Sequence, residues 1–229
     1  MLEVSHLNVF YGESQAIRDV SFRVGNCESV AIMGRNGMGK TTLLKSLIGM
    51  LPSRSGSIRV ESQELAGSPS HERVAKGLAF VPQGRMIFSQ LTVEENILVG
   101  LRNAAQRTVP EYVYRFFPVL AEMKARRGGN LSGGQQQMLA IARALVTDPK
   151  VLILDEPTEG IQPSIIKDIA RILNLLRVER QIAIVVSEQV LSFALDLADR
   201  FLVIDGGRIV HDEARARLDQ EKVKSFLTI

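Results

Sequence analysis

The feature that most restricts the fold is a glycine-rich segment between a short apolar strand and a helix. The segment reads Gly34-Arg35-Asn36-Gly37-Met38-Gly39-Lys40-Thr41; the predicted strand before it is Val30–Met33 and the predicted helix after it is Thr41–Gly49. Glycines allow backbone N–H groups to surround phosphate oxygens, and a helix N-terminus attracts negative charge. In this context the pattern G-x-x-x-x-G-K-T predicts a phosphate-binding loop.

Two side chains of this loop suit a nucleoside triphosphate and its magnesium ion. The Lys40 ammonium group brings positive charge to the β- and γ-phosphates, and the Thr41 hydroxyl is suited to ligate Mg²⁺. The candidate nucleotide-binding residues in and beside the loop are Gly34, Arg35, Asn36, Gly37, Met38, Gly39, Lys40, Thr41 and Thr42.

Apolar patterns elsewhere predict an α/β fold with a parallel sheet and an antiparallel part at the N-terminus. Runs that are apolar throughout are typical of parallel strands covered on both faces. Alternating patterns and the turn Asp205-Gly206-Gly207 predict antiparallel strands and a hairpin. The predicted strands are Leu2–Val9, Val20–Val24, Ser29–Met33, Ser57–Val60, Leu78–Val81, Val151–Leu154, Ile182–Val186, Arg200–Ile204 and Arg208–His211.

The middle of the chain, from Thr92 to Val146, has helical periodicity instead. Thr92 is predicted to cap one helix, Pro110 to open a second and Ser132 to cap a third. We therefore predict a helical insertion at about residues 84–150 within a nucleotide-binding core made of residues 1–83 and 151–229.

Composition excludes several classes of function. With 28 basic and 25 acidic residues the net charge is only +3, which argues against a large nucleic-acid-binding face. Cys27 is the only cysteine, so no internal disulfide is expected and a reducing compartment is the natural interpretation. The N-terminus lacks a secretory signal pattern, and no apolar run approaches the roughly 20 residues of a membrane-spanning helix. A membrane role would therefore require a partner.

An acidic pair follows the predicted strand Val151–Leu154. Asp155 is placed to hold Mg²⁺ directly or through water, and Glu156 to orient or deprotonate an attacking water. Such a pair is ordinarily only a solvated strand end, so the pattern alone leaves both interpretations open. The phosphate-binding loop in the same chain favours a catalytic pair.

A third motif, Leu131-Ser132-Gly133-Gly134-Gln135, opens a predicted amphipathic helix. Ser132 is a favourable N-cap, which explains part of the pattern without any ligand. Gly133 and Gly134 also leave backbone N–H groups open to an external anion, with the helix dipole behind them. The motif therefore predicts anion binding as well as helix capping.

Together these three motifs resemble the ATP-binding subunits of ABC transporters, and the resemblance covers essentially the whole chain. It implies an ABC ATPase fold, a P-loop NTPase core with a helical signature subdomain, and the cofactors ATP and Mg²⁺. It also implies a head-to-tail dimer, in which Ser132, Gly133, Gly134 and Gln135 of one chain close over the ATP held by the other.

The resemblance assigns further positions. Tyr11 lies where the family stacks an aromatic ring on adenine; an ordinary exposed turn tyrosine is the alternative. Gln83 matches the Q-loop, which reaches the Mg²⁺ and faces the membrane partner. Glu159-Gly160-Ile161-Gln162 occupies the position of the D-loop but departs from the commoner Ser-Ala-Leu-Asp sequence.

Gln189 stands at the switch position, where most members of the family have a histidine. An amide hydrogen-bonds a γ-phosphate and a water, but it does not titrate near neutral pH. We hypothesise that Gln189 senses the γ-phosphate by hydrogen bonding alone, which leaves Glu156 as the sole side-chain base. The alternative is that Gln189 merely caps a strand and that hydrolysis is slow.

Several stretches resemble the branched-chain amino acid importer ATPases and, within that group, the urea transporter subunit. Urea import is therefore the predicted function; branched-chain amino acid import, lipopolysaccharide export and a non-transport cassette are the alternatives. The stretches that resemble the wider group are Gln83–Phe88, Leu91–Asn96 and the switch at Ser187–Gln189. Those that resemble the urea subunit are Arg35–Gly37, Phe117–Leu120, Arg126–Gly129 and Glu159–Ser164.

The same resemblance implies the partners. We expect two transmembrane permease subunits, a second and different ABC ATPase, and indirectly an extracytoplasmic solute-binding protein, at the cytoplasmic face of the inner membrane. A homodimer is the alternative, and no nucleic-acid partner is expected. Met86-Ile87-Phe88 offers the permease an apolar surface. For Ile87, packing within the helical insertion is equally compatible with the sequence.

Overall fold

Two β-sheets and the helices around them form the framework of the chain. The computed structural model describes residues 1–101, 105 and 108–227. In chain order the strands are β1 (Leu2–Tyr11), β2 (Ser14–Val24), β3 (Ser29–Met33), β4 (Ser53–Val60), β5 (Gln63–Glu64), β6 (Leu78–Val81), β7 (Val151–Asp155), β8 (Ala183–Glu188), β9 (Arg200–Asp205) and β10 (Arg208–Ala214).

The helices occupy the segments between these strands. They are α1 (Lys40–Leu47), α2 (Ser70–Ala75), α3 (Val93–Leu98), α4 (Glu111–Phe116), α5 (Pro118–Glu122), α6 (Gly133–Leu145), α7 (Pro163–Glu179), α8 (Leu191–Leu197) and α9 (Gln220–Leu227). Among the described residues, no helix has both the length and the apolar character needed to cross a membrane.

The larger sheet has the order β10-β9-β3-β8-β7-β6, and only β10 runs antiparallel to its neighbour. Every residue of β3, β7 and β8 is buried, as the uniformly apolar runs predict. The smaller sheet, in the order β2-β1-β4-β5, is antiparallel throughout. The predicted fold class, α/β with a helical part and an antiparallel N-terminal part, is confirmed.

Alternate residues of the large sheet pack on opposite faces, which places it between two cores. In β3, Val30 and Ile32 pack against the small sheet and α1. Ala31 and Met33 pack on the other face, in the core that also contains residues of α6, α7 and α8. The sheet is therefore fixed from both sides, and its strand ends are rigid supports for the loops that follow them.

Predicted element boundaries differ from the observed ones mainly in polar segments. β2 begins at Ser14 rather than Val20, and β4 at Ser53 rather than Ser57, because both strands continue their pairing with β1 through polar residues. Helix α1 begins at Lys40 and ends at Leu47, so Gly49, with φ 81°, lies beyond it. A glycine in this conformation is common just after a helix.

The helical segment contains the predicted caps. Thr92 and Glu95 form a capping box at α3, and Pro110 directly precedes α4. The helices α3 to α6 lie between β6 and β7 in the chain, within the predicted insertion. Residues 102–104 and 106–107 of that predicted segment lie outside the described residues. The division of the chain into a core and an insertion stays a prediction.

The predicted hairpin between β9 and β10 is confirmed, and it supports the glycine-rich loop. Gly206 and Gly207 have φ values of 52° and 78°, as a tight two-residue turn requires. The Gly207 N–H donates to Met38 O at 3.0 Å. The turn therefore braces the loop that follows β3.

Candidate nucleotide and magnesium site

The candidate site residues lie at one edge of the large sheet. The strands β3, β8, β7 and β6 are adjacent and parallel, so their carboxyl ends meet there. The glycine-rich loop follows β3, Gln189 follows β8, Glu156 follows β7 and Gln83 follows β6. Crevices at the carboxyl ends of parallel strands are where ligands bind in α/β folds.

The glycine-rich loop surrounds a small cavity. A cavity of ≈ 230 Å³ is lined by Asn36, Gly37, Gly39, Lys40, Thr41, Thr42, Gln83 and Glu156. A β-carbon at Gly34 would lie 2.5 Å from Ile204 O, which only glycine avoids at this close approach. Among the described residues, no side chain caps the N-terminus of α1, so its first backbone N–H groups are open to an anion.

Lys40 is almost fully buried at the floor of this cavity. Its Nζ donates to Gly34 O at 2.7 Å and to Arg35 O at 3.2 Å, and it lies 3.1 Å from Glu156 Oε1. Charged groups are buried in proteins where partners replace the water that they lose, and the two carbonyl oxygens and the Glu156 carboxylate are such partners for Lys40. The Lys40 side chain therefore lies where the sequence motif predicts phosphate binding.

Asp155 has the contacts expected of a magnesium ligand. Its Oδ1 accepts hydrogen bonds from Thr41 Oγ1 at 3.1 Å and from Ser187 Oγ at 2.6 Å. Its Oδ2 is buried and has no hydrogen-bond partner among the residues that the structure describes. Burial raises the pKa of Asp155, and the hydrogen bonds from Ser187 and Thr41 act in the opposite direction.

These residues fit Mg²⁺ held together with nucleotide phosphates. Mg²⁺ uses oxygen ligands and is bound in such sites by one or two carboxylates plus phosphate oxygens. The unpaired Oδ2 of Asp155 and the nearby Thr41 hydroxyl supply oxygen ligands of this kind. Gln83 lines the same cavity, but its amide nitrogen is 3.4 Å from Glu156 Oε2 and 3.1 Å from Glu159 Oε2. Its role as a metal ligand stays a prediction.

Glu156 lies at the centre of the candidate side chains. Its Oε1 is 3.1 Å from Lys40 Nζ and accepts a hydrogen bond from Gln189 Nε2 at 3.0 Å. Its backbone has φ 46°, a left-handed conformation that costs a non-glycine residue about 1–3 kcal/mol. Such strain is common at functional sites, because the surrounding structure must hold it.

Gln189 joins the glycine-rich loop to Glu156. Its Nε2 donates to Asn36 Oδ1 at 2.8 Å as well as to Glu156. The buried carboxylate of Glu188 fixes the preceding turn by accepting from the N–H groups of Gln189 and Val190, at 2.9 and 3.0 Å. Burial raises the pKa of Glu188. The side chain of Gln189 is thus held beside the predicted base.

The LSGGQ segment lies apart from this cavity. Ser132 and Gln135 form a capping box at α6, which confirms the predicted N-cap. A β-carbon at Gly134 would lie 2.5 Å from Ile165 Cγ2, so this glycine also serves packing against α7. None of Ser132, Gly133, Gly134 and Gln135 lines the cavity. Their role toward a nucleotide on another chain stays a prediction.

Tyr11 lies at the end of β1, close to the loop. Its ring is exposed, and its hydroxyl oxygen is 3.4 Å from Thr42 Oγ1. Stacking on adenine remains a prediction for this residue.

In the D-loop position, Glu159 O accepts a hydrogen bond from Arg85 Nη2 at 2.8 Å. The Q-loop and D-loop segments are therefore in direct contact.

Sequence reasoning missed three residues of this region. The sequence identifies Ser187 and Glu188 only as members of the switch stretch that ends at Gln189, and Arg85 only as a member of Gln83–Phe88, which resembles importer ATPases. The pairing of β7 with β8 places Ser187 opposite Asp155, which no residue pattern reveals. Arg85 reaches the D-loop from a left-handed backbone position, with φ 66°, that no sequence pattern signals.

Comparisons with known proteins agree with these features. A sequence model of the ABC transporter family matches residues 17–159. A high-affinity branched-chain amino acid transport ATP-binding protein, BraG of Pseudomonas aeruginosa, is 45% identical over 228 residues, covering 98% of this chain and 97% of its own. A probable branched-chain amino acid transport ATP-binding protein, LivF of Archaeoglobus fulgidus, is 34% identical over 99% of this chain and 98% of its own.

A solved structure has the same fold along nearly the whole chain. It is the crystal structure of a nucleotide-free ATP-binding cassette from an ABC transporter, with a TM-score of 0.86 and 26% sequence identity. The match covers 99% of this chain and 94% of that one.

Proposed function

Because the chain belongs to the ABC transporter family and is an ATPase of that family, we propose that it powers an importer of the branched-chain amino acid group. The observation that carries the catalytic part is the contact of Glu156 with both Lys40 and Gln189, at 3.1 and 3.0 Å. The importer part is supported by BraG and LivF, which align with the chain from end to end.

Each residue of the site has its own role in the proposed hydrolysis of ATP. The open N–H groups of α1 and the Lys40 ammonium bind the phosphates, and Lys40 then exchanges its contact with Glu156 for one with the nucleotide. Glu156 orients the attacking water and takes its proton. Asp155 and Thr41 would hold Mg²⁺, which supplies charge neutralisation on the phosphates. Gln189 donates its amide hydrogens between the loop and the base.

We place the contact with the permease at Met86 and Phe88. Both side chains are exposed, by 66% and 48%, whereas Ile87 packs against the core beneath them. Met86 and Phe88 border a cavity of ≈ 360 Å³ that also includes Pro82, and Arg143 lies over the Phe88 ring at 5.3 Å. An apolar groove of this kind suits a short helix from a membrane partner.

Capture of partners tests the proposal. Glu156→Gln should bind ATP without hydrolysing it, and it should retain permease subunits and a second cassette ATPase when purified from detergent extract. Lys40→Ala, which loses the phosphate contact, is the matched control. Mass spectrometry that finds nucleic acid-binding, ribosomal or iron–sulfur scaffold proteins and no membrane protein would overturn the transport role.

Urea is the second candidate substrate. The stretches Arg35–Gly37, Phe117–Leu120, Arg126–Gly129 and Glu159–Ser164 resemble the urea transporter subunit, whereas BraG and LivF are named as branched-chain amino acid transport proteins. The ATPase subunit does not contact the transported solute, so its residues do not choose between the two. A solute-binding protein captured with the complex can be titrated with leucine and with urea.

By the same proposal the protein is peripheral, at the cytoplasmic face of the membrane, where its permease partners expose their coupling segments. The second cassette is more consistent with a different chain than with another copy, because importers that this chain resembles pair two different ATPases.

A further inference from the structure

A single buried hydroxyl connects the two members of the acidic pair. Ser187 pairs with Asp155 across β7 and β8, and it is completely buried. Its Oγ lies 2.6 Å from Asp155 Oδ1 and 3.1 Å from Glu156 N. Because the backbone N–H can only donate, the Ser187 hydroxyl accepts from Glu156 and donates its own hydrogen to Asp155.

The hydrogen bond to Asp155 determines which carboxylate oxygen remains for a metal. Oδ1 is engaged by Ser187 and by Thr41, whereas the buried Oδ2 has no hydrogen-bond partner in the described part of the chain. A carboxylate with one oxygen held in this way cannot rotate freely about its last bond. Ser187 therefore presents Asp155 with one oxygen free, which is what a Mg²⁺ ligand requires.

The hydrogen bond from Glu156 stabilises a strained backbone. Glu156 has φ 46°, and its N–H is held by both the Oγ and the carbonyl O of Ser187, each at 3.1 Å. This backbone conformation directs the Glu156 carboxylate to Lys40 and Gln189. Without the hydroxyl, one of the two acceptors for that N–H is lost.

Packing alone does not require a serine here. The preceding residues of β8, Ile184, Val185 and Val186, are apolar and equally buried. We propose that Ser187 is a positioning residue for magnesium-dependent hydrolysis: its hydroxyl orients Asp155 toward the metal and holds Glu156 in its left-handed conformation. The inference deepens the ATPase activity assigned above and is independent of the transported substrate.

An isosteric pair of variants tests this role. Valine and threonine have nearly the same shape and both suit a strand, but only Ser187→Thr keeps the hydroxyl. The measurement is the affinity for a slowly hydrolysed ATP analogue with Mg²⁺ and with EDTA, from which the Mg²⁺-dependent gain in affinity follows. ATP hydrolysis by the wild-type protein is measured alongside. A wild type that does not hydrolyse ATP would contradict the ATPase assignment, whereas an active wild type leaves the variants to test the role of Ser187.

We expect the Mg²⁺-dependent gain in affinity to be about tenfold smaller in Ser187→Val than in the wild type, and kcat to be about tenfold lower. Residues that orient metal ligands contribute on this scale. Ser187→Thr should retain both within about twofold, and affinity in EDTA should be unchanged in both variants. Equal Mg²⁺-dependent gains in the valine and threonine variants would overturn the proposal.

Ser187→Ala removes the hydroxyl without adding volume, and it decides the matter if the larger variants do not fold. An alanine variant that melts at a similar temperature and shows the reduced Mg²⁺-dependent gain supports the role. An alanine variant with the wild-type gain contradicts it.

Discussion

Glu156 and Gln189 form the contact on which the proposed chemistry depends. Their side chains are 3.0 Å apart, and each also touches the glycine-rich loop, through Lys40 and Asn36. A γ-phosphate bound in this loop would therefore be sensed by an amide and a carboxylate, with no imidazole among the residues that line the cavity. The absence of a titrating switch has a measurable consequence.

We predict that the pH dependence of kcat in the wild-type protein has no step near about 6.5, the ordinary pKa of an imidazole. Gln189→His should introduce such a step, because its ring would replace the amide beside Glu156. Steady-state hydrolysis across neutral pH makes the comparison. A wild-type step that persists after His6, His71 and His211 are each replaced by asparagine would contradict the prediction.

The position of most site residues was predictable, and the position of the groups that hold them was not. Lys40, Asp155 and Gln189 belong to local patterns, each following a recognisable strand. Ser187 and Glu188 act through partners about 30 residues away, namely Glu156 and Thr158, so their roles depend on strand register. Register is set by packing of the whole sheet and is not encoded in a short stretch.

At the scale of elements, the C-terminal end of α1 depends on a buried arginine. Arg73 is 1% exposed, and its guanidinium donates to Ser46 O and Leu47 O at 2.7 and 2.8 Å. It also donates to Ser68 O and Ala66 O, at 2.8 and 2.7 Å. A cation at this end complements the helix dipole and adds donors for the terminal carbonyls, of which Ser46 O also accepts from Gly49 N.

We predict that Arg73→Met lowers the free energy of unfolding by about 3 kcal/mol or more, because it leaves several buried carbonyl groups without donors. The free energy of unfolding of Arg73→Lys should lie between those of the wild type and Arg73→Met, since lysine keeps the charge but lacks the planar fork of donors. Urea denaturation measures the difference. Arg171→Met is the control, because Arg171 is exposed and forms a long surface ion pair with Asp168, at 3.8 Å. Equal losses in the two methionine variants would contradict the role of Arg73.

A second element, the turn between β4 and β5, depends on one carboxylate. Burial acts to raise the pKa of Glu64, but hydrogen bonds from Ser57, Ala66 N, Ile58 N and Arg59 outweigh it and lower the pKa from 4.5 to about 2. Because the folded pKa is the lower one, this stabilisation is complete above about pH 4.5 and is lost as the pH falls toward 2.

Glu64→Gln should therefore reduce the melting temperature at neutral pH, and the difference from wild type should shrink as the pH falls from about 5 to about 3. Calorimetry or circular dichroism at several pH values makes the measurement. A difference that stays constant or grows on acidification would contradict the assignment. The side chain is almost half exposed, so the expected effect is small.

Elements with continuous apolar sequence were predictable within a residue or two, whereas pairing between polar segments was not. The buried strands β3 and β7 match their predicted ranges closely. The first part of β2 and of β4 is mostly polar, although Ile17 of β2 is buried, and each is a strand because it pairs with one edge of β1. That information lies in the partner strand.

At the scale of the molecule, the cavity and the LSGGQ segment are separate in one chain. The residues that line the cavity come from the loop, Gln83 and Glu156, and Ser132 lies at the start of α6. A site that needs both must be completed by a second cassette, as the family resemblance implies. Hydrolysis and assembly are then linked, because a ligand that bridges two chains stabilises their pairing.

We predict that Glu156→Gln, purified alone and so without a different cassette as partner, shifts with ATP and Mg²⁺ from the 25.3 kDa monomer toward twice that mass, since bound ATP is not consumed. The double variant Glu156→Gln with Ser132→Arg should bind ATP and remain a monomer. Light scattering coupled to size exclusion reports both masses. Pairing that is as strong in the double variant as in the single one would contradict a role for the LSGGQ segment.

Import of a branched-chain amino acid, powered by ATP hydrolysis at Glu156, is the proposed function, and it can be measured in the whole transporter. The assembled transporter, reconstituted with its solute-binding protein, is assayed for ATP hydrolysis with leucine, with urea and with no solute. We expect leucine to stimulate ATP hydrolysis in the wild-type complex and not in the complex that carries Glu156→Gln. Stimulation by urea alone, or hydrolysis that ignores every solute, would contradict it.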